Sequence, residues 1–445
     1  MKKTVVLYPG LYASHFVPMM QLADVLLEDG YAVADPPALT TIVGYLEMVR
    51  SYNEHLREFL CSSGVPATRS SNIAAVIVDA PSIEALDVTR ELGIPGYSFF
   101  ASNASALAVF LQLPWIRAAE GEPSFKELGD IPLGIPGVPP MPASHLMPEM
   151  LEDPESETYK ATTSMLQATL EADGILVNTF ASLETRAVGA LGDPRFLPGG
   201  EARRVPTVYC VGPLVVGDDD ERNENRRHEC LAWLDEQPDR SVVFLCFGGT
   251  GAVTHSAEQL REIAAGLEKS GHRFLWVVRA PRSGSADHSA GPDLDELLPD
   301  GFLGRTGVRG LVVKRWAPQA DVLRHRATGA FVTHCGWNSV MEGITARVPM
   351  LCWPLYAEQR MNKVFMVEEM RVGVEVTGWP QQGQGMVKAE EVEGKVWLVM
   401  DSEEGERLRS WVAAHGEAAA MAWKDGGSSR GALRRFLSDV SDRGV

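Results

Sequence analysis

Residues 329–346, GAFVTHCGWNSVMEGITA, pass from an apolar, strand-like run through four turn residues directly into helical periodicity. A strand that feeds a helix through so short a turn reads as one step of a parallel α/β sheet. The spacing predicts a strand over 329–334, the turn CGWN, and a helix opening at Ser339 with Asn338 as its N-cap. Such a helix start aims backbone N–H groups and the positive end of the helix dipole into the crevice at the carboxyl ends of the strands, where α/β sheets hold ligands. That geometry suits a diphosphate. Gly336 lets the backbone approach closely, and His334, Asn338 and Ser339 add donors on the same rim.

The neighbouring sequence supplies what the rest of a nucleotide sugar would require. Glu342 lies one turn further along the helix, where a carboxylate can accept both hydroxyls of a ribose. Trp316 ends the run LVVKRW and offers a flat apolar face to a base, with Gln319 nearby to read its amide edge. The strand MLCW and the turn PLY deliver Glu358 and Gln359, two adjacent hydrogen-bonding side chains suited to vicinal sugar hydroxyls. Each residue alone has an ordinary structural explanation: a core Trp, a satisfied His, a solvated helix Glu, a capping Glu-Gln pair. Their convergence within one segment argues for a site.

Composition narrows the partners. The chain of 445 residues is too long for one ordinary core and implies two domains. Forty-one basic against 59 acidic side chains give a net charge of −18, which argues against nucleic acid or anionic membranes as partners. An anionic ligand must then be held by local dipoles and donors. Six cysteines without a CxxC pair suggest reduced thiols in a cytoplasmic protein. MKKTVVLYPG reads as a first strand and not a signal peptide, and no apolar run is long enough to span a bilayer. The ten histidines show no metal spacing such as HExxH, so no metal is expected. Gly249-Thr250-Gly251 lacks the third glycine of a dinucleotide fingerprint, which disfavours an NAD-dependent oxidoreductase; a phosphate-facing loop fits better.

Strand and helix signals alternate along the first half, as in a parallel sheet. His15 follows the first strand at a loop-to-helix junction, and Asp79 closes the buried strand AAVIVD. A histidine can accept a proton near neutral pH, and it needs a partner to fix its tautomer; Asp79 is placed to be that partner. Residues 121–148, rich in Pro and Gly, read as a long surface loop flanking a pocket. The polar run DDDERNENRRHE, 218–229, reads as a linker between domains at 1–217 and 230–428. GSSRG, 427–431, fits the hydrolase elbow formally, but no strand precedes it, so it is read as a helix cap.

In combination and spacing, WAPQ, HCGWNS, the following Glu342 and the closing Pro, acidic residue and Gln359 resemble the C-terminal signature of the plant family 1 UDP-sugar glycosyltransferases. Glu358 stands where many relatives carry Asp. YPGLYASHFVP resembles the family's PGxGxxHxxP context except at Ser14, and GILVNTF, CVGPLV, CLAWLD, SGHRFLW and EEMRVGVEV are similar as well. The resemblance implies the GT-B fold, two Rossmann-like domains facing each other across a cleft, with the last helix, 429–445, packing back onto the first. It implies that Trp316 stacks on uracil, Gln319 holds the uracil edge and Glu342 binds the ribose. His334, Asn338 and Ser339 would contact the diphosphate, and Trp337, Glu358 and Gln359 the sugar. Thr250 would replace a serine hydroxyl that relatives carry at the position of Gly249. His15 would be the catalytic base, oriented by Asp79.

Within the family, the resemblance points to plant flavonoid and phloretin-type O-glucosyltransferases of secondary metabolism. The implied reaction is inverting transfer from UDP-glucose to a phenolic hydroxyl of a flavonoid-like small molecule, by a cytoplasmic monomer with no cofactor beyond its donor substrate. Two readings stand beside it: a glycosyltransferase for non-flavonoid phenolics or terpenoids, and a UDP-sugar-binding paralogue with impaired transfer. The 11 residues 31–41 are too few for what relatives place there, since a strand alone takes about five or six and a βαβ crossover needs at least about 10–12 between strands. The first-domain sheet is therefore expected to be shortened, with Phe99 and the Pro-rich loop walling the acceptor pocket.

Overall fold

The computed structural model describes residues 4–10, 13–28, 42–62, 73–116, 122–199, 203–215, 228–248, 255–279, 292–380 and 385–443. The chain divides into two compact units, Met1–Val215 with Ala419–Val445 and Val216–Ala418. The first return to the N-terminal unit thus falls at 419, ahead of the expected boundary at 428, while most of the 218–229 segment lies outside the described residues.

The N-terminal unit carries β1 (Thr4–Tyr8), β2 (Ile73–Asp79), β3 (Gly96–Phe100), the short β4 (Pro132–Leu133) and β5 (Met141–Pro142), then β6 (Gly174–Val177) and β7 (Thr207–Cys210). Its main sheet is parallel in the order β1-β2-β3-β6-β7. The strands are apolar at almost every position because helices cover both faces. One face packs Leu22, Leu26, Tyr97 and Leu176, and the other packs Leu56, Val76, Val78 and Leu86. The C-terminal helix, Ser428–Arg443, completes the first of these layers with Leu433, Phe436 and Val440. Phe436 meets the rings of Tyr97 and Tyr209 edge-on at 4.9 and 5.5 Å, and the Tyr209 hydroxyl donates to Asp439 at 2.5 Å. GSSRG opens this helix, where Ser429 donates to the Gly212 carbonyl. Residues 31–41, where the shortened crossover is expected, lie outside the described residues.

Two expectations are corrected in this unit. The Pro-rich stretch is no bare surface loop: it holds a helix at Phe125–Leu128 and the antiparallel pair β4–β5, anchored by buried Phe125, Ile135, Met141, Leu146 and Met150. The anchoring side chains recur too irregularly among the prolines to show a period. Phe99 cannot wall a pocket, because it is wholly buried in the core. In a central strand covered on both faces, every side chain is directed into packing.

The second unit carries β8 (Val242–Cys246), β9 (Arg273–Val278), β10 (Gly310–Lys314), β11 (Thr328–Thr333), β12 (Met350–Cys352) and β13 (Gly373–Glu375). They form one parallel sheet in the order β10-β9-β8-β11-β12-β13. The chain builds outward from β8 through β9 to β10, then returns to the other side of β8 with β11. The carboxyl ends of β8 and β11 therefore flank a topological switch point, the position at which open α/β sheets bind ligands.

Candidate active site

In the N-terminal unit, β1 and β2 are parallel neighbours with Tyr8 paired to Val78, so the turn after β1 lies beside the last residue of β2. That last residue is Asp79, wholly buried. His15, in the first turn of the helix Ala13–Glu28, brings Nδ1 to 3.0 and 3.1 Å from the two carboxylate oxygens of Asp79. A carboxylate can only accept, so the shared proton belongs to Nδ1, and Nε2 of the neutral ring carries the lone pair. The His15 side chain is 30% exposed while its partner is closed off from water. Gly10 makes the contact possible: a Cβ there would lie 1.7 Å from Asp79 Oδ2. Its position in the YPG turn was visible in the sequence, but the carboxylate that forbids a side chain there was not.

The second unit assembles most of the residues from the 316–359 segment at the carboxyl edge of its sheet. β11 ends at Thr333, and the turn that follows places Cys335 at φ +65, an uncommon conformation for a residue with a side chain. Two hydrogen bonds hold it there: Asn362 Nδ2 donates to the Cys335 carbonyl at 3.0 Å, and the Cys335 N–H donates to Thr333 Oγ1 at 3.2 Å. The helix begins at Trp337, with Gly336 as an N-cap that provides no side-chain bond. Asn338 is therefore not the cap. It sits inside the first turn because the turn spends only Cys335 and Gly336 before helical geometry begins.

His334 is buried and pressed between two glycines: a Cβ at Gly248 would lie 2.9 Å from its Nε2, and one at Gly336 2.4 Å. Burial first, and the positive charge of Arg279 second, push its pKa down to about 4. The ring is thus neutral near pH 7, so it can offer a hydrogen bond but not a charge. Its Nδ1 has no hydrogen-bond partner among the described residues. Gln319, Ser339 and Glu342 form one network, with Gln319 Nε2 donating to Ser339 Oγ at 2.9 Å and to Glu342 Oε2 at 2.7 Å. Burial raises the Glu342 carboxyl above its ordinary value, opposed by the Gln319 donor and the charge of Arg324. With its amide nitrogen so engaged, Gln319 has its side-chain oxygen and its main chain left to meet a base.

Trp316 lies two residues beyond β10 and is 59% exposed, so it is not the core residue that a Trp after a strand usually is. Its indole meets the His228 ring edge-on at 5.7 Å. Trp337 is buried. Gln359 is buried too, and its Oε1 accepts the N–H groups of Leu355 and Tyr356 at 3.0 Å each, which fixes the PLY turn. Its amide also bonds the Tyr356 hydroxyl, which leaves the remaining amide N–H for another partner. Glu358 precedes it as the N-cap residue of the helix Gln359–Val364 and is half-buried. Thr250 lies outside the described residues.

The family model for UDP-glucoronosyl and UDP-glucosyl transferase matches residues 215–380. The chain is 38% identical to the anthocyanidin 5,3-O-glucosyltransferase of a Rosa hybrid cultivar, across 97% of this chain and 98% of that protein. The chain is a plant family 1 UDP-glycosyltransferase. The glycosyltransferase is also 40% identical to the phloretin 2'-O-glucosyltransferase of Pyrus communis, over 91% of this chain and 83% of the relative. Among solved structures, Phytolacca americana UGT2 complexed with UDP-2fluoro-glucose and pterostilbene matches with a TM-score of 0.84 at 31% identity, covering 99% of this chain and 100% of that one. Both sheets of the enzyme are accordingly the Rossmann-like sheets of the GT-B class.

Proposed function

We propose that this UDP-glycosyltransferase moves glucose from UDP-glucose to a phenolic hydroxyl of a flavonoid-like small molecule, with inversion at the anomeric carbon. The observation that carries the reading is the His15–Asp79 pair. His15 Nε2 takes the phenol proton as the phenol oxygen attacks the anomeric carbon. The bond from that carbon to the β-phosphate oxygen breaks, and its electron pair leaves with UDP toward the start of the helix Trp337–Thr345. Asp79 keeps the ring in the required tautomer and stabilises the imidazolium that forms. Trp316 and Gln319 take the uracil, Glu342 the ribose, and His334, Asn338, Ser339 and Thr250 the diphosphate. Trp337, Glu358 and the Gln359 amide take the sugar.

The relatives named for anthocyanidin and phloretin, and the neighbour holding pterostilbene, support a phenolic acceptor. UDP-glucose enters as substrate, and the scheme calls on no metal or cofactor. Among the described residues no helix is long and apolar enough to cross a membrane. A cytoplasmic monomer is part of the proposal. The test is to incubate the enzyme with UDP-glucose, UDP-galactose or UDP-glucuronate and a panel of flavonoids, other phenolics and terpenoids, identifying products by mass and anomeric configuration by NMR. β-Glucosides of phenols are expected; α-linked products, or transfer confined to terpenoids, would overturn the reading.

A further inference from the structure

Arg279 stands directly after β9, the strand next to β8 at the switch point. On its other side, β10 ends at Lys314 opposite Val278, and the Arg315 N–H donates to the Val278 carbonyl at 2.9 Å. Arg279 Nε donates in turn to the Arg315 carbonyl at 3.1 Å. Arg315 takes φ +71, which turns the chain so that Trp316 emerges into solvent. One face of the guanidinium is therefore tied to the turn that presents the base platform. Its two terminal nitrogens meet no carboxylate among the described residues, although the protein carries 59 acidic side chains.

The charge of Arg279 also reaches across the carboxyl edge of the sheet. It helps to depress His334, and it acts in the same direction on Cys246 at the end of β8 and on Tyr356 after β12. These groups and the Arg315 turn stand at or just after the carboxyl ends of β8, β9, β10, β11 and β12, on the same edge of the sheet as the turn before the helix Trp337–Thr345. In a chain of net charge −18, a cation that meets no carboxylate among the described residues is available to an anionic ligand. A guanidinium fork matches phosphate oxygens in shape and charge.

We infer that Arg279 is a diphosphate-binding residue of the donor site, reaching from the uracil platform toward the helix start and balancing the charge that UDP gains when the sugar leaves. The inference rests on the donor site proposed above. Nε and the Arg315 carbonyl set the position of the fork, and the terminal nitrogens bind the anion.

Calorimetric titration of the full-length enzyme and its Arg279→Ala and Arg279→Lys variants with UDP and with uridine tests this. Arg279→Ala should weaken UDP by about 10- to 100-fold, the worth of a charge-assisted contact, and leave uridine within about twofold. Arg279→Lys, which keeps the charge without the fork or the bond to Arg315, should recover only part of the UDP affinity, and added salt should weaken the wild type more than the alanine variant. Equal loss of UDP and uridine would mean that Arg279 only braces the Trp316 turn, and would overturn the inference. So would unchanged UDP affinity in Arg279→Ala. Failure of the wild type itself to bind UDP would instead remove the donor site on which the inference rests.

Discussion

Each unit places a histidine at the carboxyl edge of its sheet, and the two sit in opposite surroundings. His15 is partly exposed and shares its Nδ1 proton with a buried carboxylate. His334 is enclosed between Gly248 and Gly336, faces the positive charge of Arg279, and has a pKa near 4. A carboxylate neighbour stabilises an imidazolium, whereas burial beside a cation opposes it. Residue type and strand-end position do not separate a base from a neutral donor. The groups packed around each ring do.

The largest consequence concerns His15. His15→Ala should lower kcat/KM for an unactivated phenol by about 10²- to 10⁴-fold, the range of a general base, with UDP affinity unchanged. Gly10→Ala should follow closely, because its Cβ would occupy the position of Asp79 Oδ2; near-normal turnover in that variant would show that the pair tolerates displacement and does not set the rate. In the second unit, Glu342→Ala should weaken UDP and UDP-glucose alike. Gln359→Glu keeps the oxygen that caps Leu355 and Tyr356 but removes the amide donors, so it should weaken UDP-glucose by about 3- to 30-fold and spare UDP. Equal loss of both ligands would assign Gln359 to the turn alone.

The sequence and the structure agree where packing is periodic and part where it is not. β2 and β11 were legible because strands covered on both faces are continuously apolar. The residues of the 316–359 segment were legible as a group because they lie within one βα step and its neighbours. The half-buried hairpin at 132–142 was not, since two-residue strands leave no period to read. Nor was the state of His334, which depends on Gly248, 86 positions away in the chain, and on Arg279. The helix start at Trp337 was missed because Asn338 is a strong capping residue by type, while the backbone turned earlier at Gly336.

A smaller effect separates the histidines by pH. His334 and His255 are buried with pKa values pushed down to about 4 and about 3, whereas an unfolded imidazole takes its proton near 6.5. The unfolded chain then binds more protons between those values, so stability falls as pH drops from about 6.5 toward 3 and loses no more from these groups below that. His255→Phe, within the cluster of Phe247 and Trp353, should flatten this acid loss by a few kcal/mol in urea unfolding of the second unit's transition. An unchanged slope would place the acid sensitivity in other groups.

The central claim is that His15 and Asp79 act as one unit, and a double-mutant cycle in kcat/KM tests it most directly. With an unactivated phenol and saturating UDP-glucose, Asp79→Asn alone should lose activity, His15→Ala alone should lose more, and the combined variant should lose no more than His15→Ala. Losses that simply multiply, with the double variant falling by the product of the two, would show that Asp79 does not act through His15.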